Sequence, residues 1–237
     1  MKVLILVQSF DGENEYRKSS TGEIGKFNYM DLLKVQRETW DSVKNPNVQT
    51  FYYLPDAVKS GIEGDMIYIK ALPDFEFMCL HLIKAMQYVM KFEWDYIFKT
   101  DNSAYVCKEE LVKVLQNKPR TKFYGGMPYV GPGHKEQPFF WGEGLALSRD
   151  MVQKLIDVAA LNFPIQGIDD GMLGLLLKEK IDAAWDDTMN ITHYYNDPFK
   201  PAHVYRCKND RADGTPFEDD IKAMREIHES LSVSNVV

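Results

Sequence analysis

Three small oxygen-bearing side chains, those of Asp101, Asn102 and Ser103, come directly after an apolar run at residues 96–98. This run, Tyr-Ile-Phe, predicts a short buried strand. Ligands of open α/β sheets bind just beyond the carboxyl ends of the strands. A carboxylate, a carboxamide and a hydroxyl at such a position suit a metal–diphosphate group or a ribose. Turn formers between a strand and a helix would produce the same sequence, so this stretch alone leaves both interpretations open.

Two further stretches combine glycines with side chains that can do chemistry. Residues 138–148, Pro-Phe-Phe-Trp-Gly-Glu-Gly-Leu-Ala-Leu-Ser, predict a strand with two glycines inside it, which is typical of a bulge or of a close approach by another group. Residues 167–174, Gly-Ile-Asp-Asp-Gly-Met-Leu-Gly, place the carboxylates of Asp169 and Asp170 at the start of a helix. Acidic residues at a helix start also interact favourably with the helix dipole. The glycines around this pair favour a site, because they leave room for a substrate.

Composition narrows the classes of protein to consider. The 237 residues fit one large α/β domain or two small ones. The net charge of -7 argues against a nucleic-acid surface, which needs a clustered basic patch, and against binding to an anionic membrane. The cysteines, Cys79, Cys107 and Cys207, are too few and too scattered for a disulfide framework or a zinc site. They predict buried thiols in a reducing compartment.

The amino-terminal residues predict a buried strand and no membrane segment. Only five consecutive apolar residues follow Lys2, far fewer than the ~20 that a membrane span requires. No signal-peptide cleavage pattern follows them, so the expectation is a cytoplasmic protein. The polar segment after this strand has no Gly-x-Gly-x-x-Gly pattern, which removes the main support for a dinucleotide-dependent dehydrogenase.

Hydrophobic periodicity predicts strands and helices that alternate along the chain. The expected strands are residues 3–7, 48–54, 66–69, 96–98, 104–106, 121–124, 138–148, 183–185 and 191–194. The expected helices are residues 28–43, 75–92, 109–116, 150–160, 167–177 and 217–231, with Asn28 and Ser148 as caps. Residues 9–26 and 127–137 are expected to be loops, and residues 61–65 are expected to be a turn. The alternation favours an α/β fold with a mainly parallel sheet, helices on both faces and a small mixed edge from the later strands.

Four separated stretches together resemble one family, the inverting β-1,3-glycosyltransferases that include fringe and the β-1,3-galactosyltransferases, whose nucleotide-sugar-dependent fold is called GT-A. The family's Arg-x-Thr-Trp helix is matched by residues 37–40, and its Lys-x-Asp-Asp-Asp-x-Phe/Tyr-Val segment by residues 99–106. Its Pro-Tyr-Cys-x-Gly-Gly-Gly-Tyr-Val-Leu-Ser segment is similar to residues 138–148, and its Glu-Asp-Val-x-x-Gly segment to residues 169–174. The order and spacing hold from about residue 1 to about residue 195.

The chain departs from the family pattern at several of these positions. The doubled basic pair that usually precedes the Arg-x-Thr-Trp helix is Leu32-Leu33, and the family's cysteine is Phe140. The middle glycine of the third motif is Glu143, and the last aspartate of the acidic triplet, which holds the metal in relatives, is Ser103. The expected lack of a membrane anchor also resembles short family members encoded by large DNA viruses, for which the location would be the host cytoplasm.

The resemblance implies a donor and metal site at the end of the central strand. The expected donor-binding residues are Asp101, Asn102, Ser103, Arg37 and Ser9. The expected ligands of Mn²⁺ or Mg²⁺ are Asp101, Ser103 and His193. Because Asn102 and Ser103 add only neutral ligands, the cation should be held less well than in relatives. Arg37 either contacts the diphosphate or pairs with Asp31 or Glu38. Arg206 and Lys208 belong to an aromatic and basic segment, residues 197–209, here called the aromatic tail, and would close over the phosphates.

The resemblance also implies the catalytic and acceptor residues. Asp170 matches the family's general base, and Asp169 stands beside it. Trp141, Gly142 and Glu143 are expected to bind the acceptor, with the indole stacked on a sugar ring and the Glu143 carboxylate accepting from its hydroxyls. A core tryptophan followed by an exposed acid is the alternative for this strand.

The sequence therefore predicts a single GT-A-like domain over residues 1–237, with a donor-nucleotide half over about 1–106 and an acceptor and catalytic half over about 107–237. The protein is expected to move a monosaccharide from a nucleotide-diphosphate sugar, a UDP-sugar by preference, to a hydroxyl of a glycan or glycoprotein acceptor. The transfer is expected to invert the configuration at the anomeric carbon. One alternative is a degenerate binding module that keeps the donor pocket and transfers nothing. Another is an unrelated nucleotidyltransferase, which is disfavoured because residues 9–15 contain no basic phosphate loop.

Overall fold

Thirteen strands and six α-helices make up the part of the chain that the computed structural model describes, residues 1–17, 24–71, 75–129, 139–161, 169–189, 191–194, 201–207 and 217–234. The strands are β1 (Val3–Gln8), β2 (Glu13–Arg17), β3 (Ile24–Asn28), β4 (Val48–Asp56), β5 (Gly61–Glu63), β6 (Met66–Lys70), β7 (Tyr96–Asp101), β8 (Ala104–Val106), β9 (Phe123–Pro128), β10 (Phe140–Ser148), β11 (Ala184–Asp186), β12 (Thr192–His193) and β13 (Val204–Arg206). The helices are α1 (Tyr29–Glu38), α2 (Met78–Val89), α3 (Lys108–Gln116), α4 (Arg149–Ala160), α5 (Asp169–Leu176) and α6 (Phe217–Ser234). A 3₁₀ turn (Phe75–Phe77) precedes α2, and a π-helical turn (Leu177–Ile181) follows α5.

An eight-stranded sheet organises the fold, with the strand order β11-β9-β10-β7-β1-β4-β6-β5. Strands β1, β4, β6 and β7 run parallel to one another, and β11 runs parallel to β9. The predicted α/β class with a mainly parallel sheet is thereby confirmed. Strand β10 is antiparallel to both of its neighbours, β7 and β9. Together with β9 and β11 it forms the mixed edge that the sequence predicted for the later strands. Because β10 runs antiparallel to β7, its first residues lie at the carboxyl end of β7.

Strand β1 shows how the sheet is covered on both faces. Side chains of successive strand residues point to opposite faces. Val3, Ile5 and Val7 accordingly join one buried cluster, which includes residues of α1, α3 and α6. Leu4 and Leu6 join a second cluster on the other face, which includes residues of α2, α4 and α5. All six residues of β1 are buried, which explains why its sequence is a continuous apolar run.

The two expected helix caps have different outcomes. Asn28 caps α1 as predicted, because its side-chain oxygen accepts from the backbone N–H of Met30 at 2.8 Å. Helix α1 ends at Glu38 and not at residue 43, since the N–H of Asp41 binds the carbonyl of Gln36 and that of Ser42 binds the carbonyl of Thr39, which departs from the i→i−4 pattern of an α-helix. Ser148 does stand before α4, but its hydroxyl makes no capping bond. It accepts from the N–H of Phe123 at 2.9 Å instead, so the cap prediction is wrong in its chemistry.

Three parts of the predicted element map are wrong. The segment 9–26, expected to be a loop, contains most of an antiparallel hairpin of β2 and β3. Strand β5, expected to be a turn, pairs with β6. Strand β13 in the aromatic tail pairs with both β8 and β12 to form a three-stranded sheet. These short elements depend on backbone pairing with distant segments, which leaves no clear periodicity in their own residues. Most of the loop expected at 127–137 lies outside the described residues.

The three cysteines are free thiols, with Cys79 and Cys207 buried and Cys107 half-buried. None of the helices described in the structure is both long and apolar enough to cross a membrane.

A buried histidine predicts how stability depends on pH. His203 packs edge-to-face on Phe98, with ring centroids 6.2 Å apart, and its Nε2 has no hydrogen-bond partner within the described part of the chain. Burial lowers the pKa of His203, Lys118 lowers it too and Glu110 opposes both, with the result that the pKa is about 4. Between pH ~6.5 and ~4 the unfolded chain therefore binds a proton that the folded chain does not. Stability should fall as the pH falls through this window, by up to about 3 kcal/mol from this group.

His203→Gln should make the free energy of unfolding depend less on pH. The measurement is unfolding in urea at pH 7, 6, 5 and 4.5. Cys79→Ala is the control, because it opens space in the buried cluster on the other face of the sheet and removes no histidine. It should lower stability at every pH and keep the wild-type slope. An unchanged slope in folded His203→Gln would show that His203 does not govern the acid sensitivity.

Candidate active site

The turn between β7 and β8 carries the three oxygen-bearing side chains at the carboxyl edge of the sheet. Asp101 is the last residue of β7, in register with Gln8 at the end of β1. Its Oδ1 accepts from the backbone N–H of Ser103 at 2.9 Å, so the carboxylate organises its own turn. Asn102 and Ser103 are buried, and the Nδ2 of Asn102 has no partner among the described residues. The position beyond a central strand is the one that the sequence predicted.

Helix α1 reaches this turn through Gln36. Its Nε2 donates to the carbonyl of Asp101 at 3.1 Å and to that of Ala104 at 3.0 Å, which bridges the two ends of the turn. Gln36 is fully buried, and sequence reasoning missed it. The signal was present, because Gln36 is a polar residue at helical spacing from Leu32, Leu33 and Trp40 on an otherwise apolar face.

Arg37 points elsewhere. Its Nε and Nη2 donate to the two carboxylate oxygens of Asp65 at 3.1 and 2.6 Å, and its guanidinium lies 5.0 Å from the ring centroid of Tyr52. The expected pairing with Asp31 or Glu38 is therefore wrong, since the partner is Asp65 on the loop before β6. Glu38 is 3.6 Å from Arg225 of α6 instead. Contact of Arg37 with a diphosphate stays a prediction.

The first residues of β10 face the turn from the neighbouring strand. The hydroxyl of Thr100 donates to the carbonyl of Glu143 at 2.7 Å, which ties β10 to the end of β7. The Glu143 carboxylate is buried and forms an ion pair with the equally buried Arg206 of β13. The Arg206 guanidinium also lies 4.6 Å from the ring centroid of Trp141. The alternative of an exposed acid after a core tryptophan is wrong, because Glu143 is buried and Trp141 is half-buried.

The charged groups Asp101, Arg206 and Lys99 lie close enough to Glu143 to affect its pKa. Burial raises the pKa of the Glu143 carboxyl, and the Asp101 carboxylate raises it further. Arg206 and Lys99 act in the opposite direction, because their positive charges favour the ionised carboxylate. Two carboxylates and two cations thus share one part of the sheet edge. Sequence reasoning used Lys99 only as a motif position and assigned Arg206 to phosphates, so the charge pairing with Glu143 was not foreseen.

Asp170 is held against the start of β10. Its Oδ1 accepts from the N–H of Gly171 at 2.8 Å, and its Oδ2 accepts from the N–H of Gly142 at 3.2 Å. Hydrogen bonds from backbone N–H groups favour the ionised form of a carboxylate. Gly174 permits this docking of α5, because a Cβ there would lie 2.6 Å from the Cβ of Phe139. Asp169 begins α5, but its side chain lies outside the described part of the structure.

The last of the predicted site residues are Ser9, His193 and Lys208. Ser9 follows β1 and is buried, and its hydroxyl has no partner in the described ranges. Tyr29 packs on Phe10 with ring centroids 5.1 Å apart, and both burial and the Asp101 carboxylate raise the pKa of the Tyr29 phenol. The backbone of His193 pairs with Arg206 in register, while its side chain, like all of Lys208, lies outside the described residues.

The donor set fits a divalent cation only in part. No group of three or more His, Cys, Asp or Glu side chains in the described ranges is placed to hold a metal ion. The described carboxylates at this edge include Asp101, Glu143 and Asp170, of which Glu143 is paired with Arg206 and Asp170 accepts from the N–H of Gly142. Mg²⁺ usually keeps several waters and binds to one or two carboxylates together with substrate phosphates. These residues fit that arrangement, with Asp101 as the carboxylate, and they do not form an all-protein cage.

Comparison with known proteins supports the fold. No protein-family model matches the chain, and no curated protein matches it either. Among solved structures, the apo form of the glycosyltransferase GlyE of Streptococcus pneumoniae TIGR4 is 13% identical with a TM-score of 0.53, covering 100% of this chain and 64% of that one. A glycosyltransferase involved in the glycosylation of the major capsid of PBCV-1 is 12% identical with a TM-score of 0.51, covering 95% of this chain and 100% of that one. At these identities the likeness shows the fold alone, and the predicted GT-A-like fold is confirmed.

Proposed function

We propose that the protein is an inverting glycosyltransferase that moves a monosaccharide from a UDP-sugar to a hydroxyl of a glycan acceptor. The observation that carries this proposal is the Asp170 carboxylate, held by the N–H of Gly142 beside the Asp101 turn, in a fold shared with glycosyltransferases. The four motifs in family order support the finer assignment to the β-1,3-transferases. The likeness to short viral members of that family stays a prediction from the sequence.

The donor would lie over the carboxyl ends of β1 and β7. The carboxylate of Asp101 suits the ribose hydroxyls or a cation bound to the diphosphate, and Asn102, Ser103 and Ser9 add neutral polar groups beside it. Mn²⁺ or Mg²⁺, when bound there through Asp101, would neutralise the charge of the leaving diphosphate. Gln36 would keep the turn in shape, because it bonds both ends of it.

Asp170 would act as the general base. In an inverting transfer, the base removes the proton of the acceptor hydroxyl while that oxygen attacks the anomeric carbon. The bond from the anomeric carbon to the diphosphate oxygen breaks as the new bond forms, and the diphosphate leaves with both electrons. The two backbone N–H groups at Asp170 favour the ionised carboxylate, which is the form that accepts a proton.

Trp141 would form the acceptor platform. Its indole contacts the Arg206 guanidinium and lies 4.8 Å from the ring of Tyr129 in an edge-to-face arrangement. These contacts hold the ring in one orientation, as stacking on a sugar requires. The Glu143 carboxylate, paired with Arg206, would then anchor the platform, in addition to the direct role toward acceptor hydroxyls that the sequence suggested.

The second candidate is a binding module that holds the donor and transfers nothing. Ser103 favours it, because a neutral hydroxyl stands where the family has a charged ligand, so a cation bound to Asp101 would be held less well. Slow hydrolysis of the donor without acceptor separates the two candidates, since an active enzyme shows it and a module does not.

A first prediction is that UDP or a UDP-sugar stabilises the folded protein. At a hundredfold excess over the dissociation constant the gain should be about 2.7 kcal/mol, or several degrees in Tm for a domain of this size. The measurement is a thermal-shift screen of uridine, guanosine and thymidine diphosphates with and without Mn²⁺. The lack of a shift with every nucleotide would reject the donor site.

A second prediction concerns Ser103. Ser103→Asp adds a charged oxygen ligand, so it should lower the Mn²⁺ concentration at which UDP reaches half of its maximal thermal shift. The matched control is Ser42→Asp, which adds the same charge at an exposed turn after α1, away from the site. Nucleotide binding that ignores chelator, together with no change in Ser103→Asp, would show that the site uses no metal.

A third prediction is that Asp170 supplies the base. Asp170→Asn keeps the shape and removes the basicity, so folding and UDP binding should survive while transfer falls by about 10²–10⁴-fold. Asp169→Asn is the control and should be milder. A dead Asp169→Asn beside a near-wild-type Asp170→Asn would move the assignment by one residue. Activity in both variants would place the base elsewhere.

A further inference from the structure

Lys99 is a charged residue in the middle of the most buried part of the sheet. It lies in β7 between β1 and β10, and its side chain is among the largest that are fully buried. Residues two apart in a strand share a face. Lys99 therefore points to the same side as Ile97, whose cluster includes residues of α5. A buried ammonium is unfavourable unless nearby groups compensate its charge, so its surroundings indicate its role.

Gly142 connects Lys99 to Asp170. The Nζ of Lys99 donates to the carbonyl of Gly142 at 2.9 Å, and the N–H of the same residue donates to the Oδ2 of Asp170 at 3.2 Å. A Cβ on Gly142 would lie 2.9 Å from Nζ and 3.3 Å from Oδ2. The ammonium and the carboxylate thus face one small volume and are within about 6 Å of each other, the range in which opposite charges act strongly.

We propose that Lys99 is the positioning residue for Asp170: its ammonium keeps the carboxylate ionised and, through Gly142, keeps it in place. The proposal rests on the proposed function in one respect, because the effect on transfer requires Asp170 to be the base. The electrostatic coupling between the two side chains does not depend on it. Gly142 is then required for space, since any side chain there would enter the volume between the two charges.

Charged and titratable groups of the neighbouring strands β7, β9 and β10 have different partners or positions. From β10, Glu143 pairs with Arg206 of β13. From β7, Asp101 lies two residues beyond Lys99 and binds the N–H of Ser103. From β9, the phenol oxygen of Tyr124 lies 3.6 Å from the position of a Cβ on Gly174, one turn along α5. Among the described cations, Lys99 is the one that Gly142 joins to Asp170.

The test variant, Lys99→Met, removes the charge of the side chain and keeps its length. Lys99→Met should raise the pKa of the Asp170 carboxyl by about one to two units, because an opposite charge at this distance lowers the pKa of an aspartate by that amount. The measurement is a carbon-detected NMR titration of the protein without substrate, with the Asp170 signal identified by its loss in Asp170→Asn. The same shift should move the acid limb of the pH–rate profile to higher pH. At a pH below the Asp170 pKa of both the wild-type protein and the variant, transfer by the variant should be about 10–100-fold slower, and above pH ~8 it should recover toward the wild-type rate.

Lys108→Met is the matched control. Lys108 is also a buried lysine, but its ammonium pairs with Asp41 at 2.7 Å on the α3 side of the molecule. This variant should lower stability and leave both the Asp170 titration and the pH–rate profile unchanged. A loss of transfer in Lys99→Met that is equal at every pH, with an unchanged Asp170 titration, would overturn the proposal and leave Lys99 a purely structural residue.

The outcomes separate this proposal from the proposed function. If the wild-type protein transfers no sugar, the function fails, and the NMR titration still decides whether Lys99 controls Asp170. If Lys99→Met does not fold, Lys99→Gln takes its place, because it removes the charge and keeps a donor toward the carbonyl of Gly142. The Asp170 titration of this variant should show the same rise in pKa. An unchanged Asp170 titration in folded Lys99→Gln would overturn the proposal.

Discussion

The antiparallel insertion of β10 between β7 and β9 is the constraint on which the rest of the site depends. Its ladder pairs Leu145 with Lys99 and Ser148 with Tyr96, so the strand enters the sheet at the end where β7 finishes. A parallel strand would have placed its first residues at the opposite edge. Because of this direction, Gly142 and Glu143 reach the turn at Asp101 through backbone and side-chain contacts rather than through a long loop.

The site edge is organised by charges that compensate one another, of which Glu143, Arg206 and Lys99 are buried and Asp170 is half-buried. Glu143 pairs with Arg206, and Gly142 bridges Lys99 and Asp170. Removing one partner of a buried pair typically costs about 3–5 kcal/mol, because the other charge is left uncompensated. The small sheet of β8, β13 and β12 serves this arrangement, since it is the element that brings Arg206 against β10. Its bond from the N–H of Cys207 to the carbonyl of Ser103 also joins it to the turn.

Much of the fold was predictable because long elements carry their own periodicity. The apolar run of β1 and the amphipathic pattern of α6 identified those elements, and Asn28 identified the start of α1. The hairpin of β2 and β3 and the strand β13 were missed, because short strands depend on partners far away in the sequence. The same limit affected the site. A helix motif drew attention to Arg37, whereas Gln36, one residue earlier and buried, is the residue that contacts the Asp101 turn.

The sequence by itself determined the α/β class, the turn after the central strand, the acidic pair at the start of α5 and the glycines around it, since each is a local pattern of residue types. Only the tertiary structure decided which of these groups meet. Whether Glu143 is exposed or paired and whether Lys99 serves the core or Asp170 depend on the direction of β10 and the placement of β13. The pairing of Arg37 with Asp65 depends on how α1 packs against the loop before β6. Those are long-range choices, made by burial and backbone pairing over the whole sheet, and no local spacing of residues encodes them.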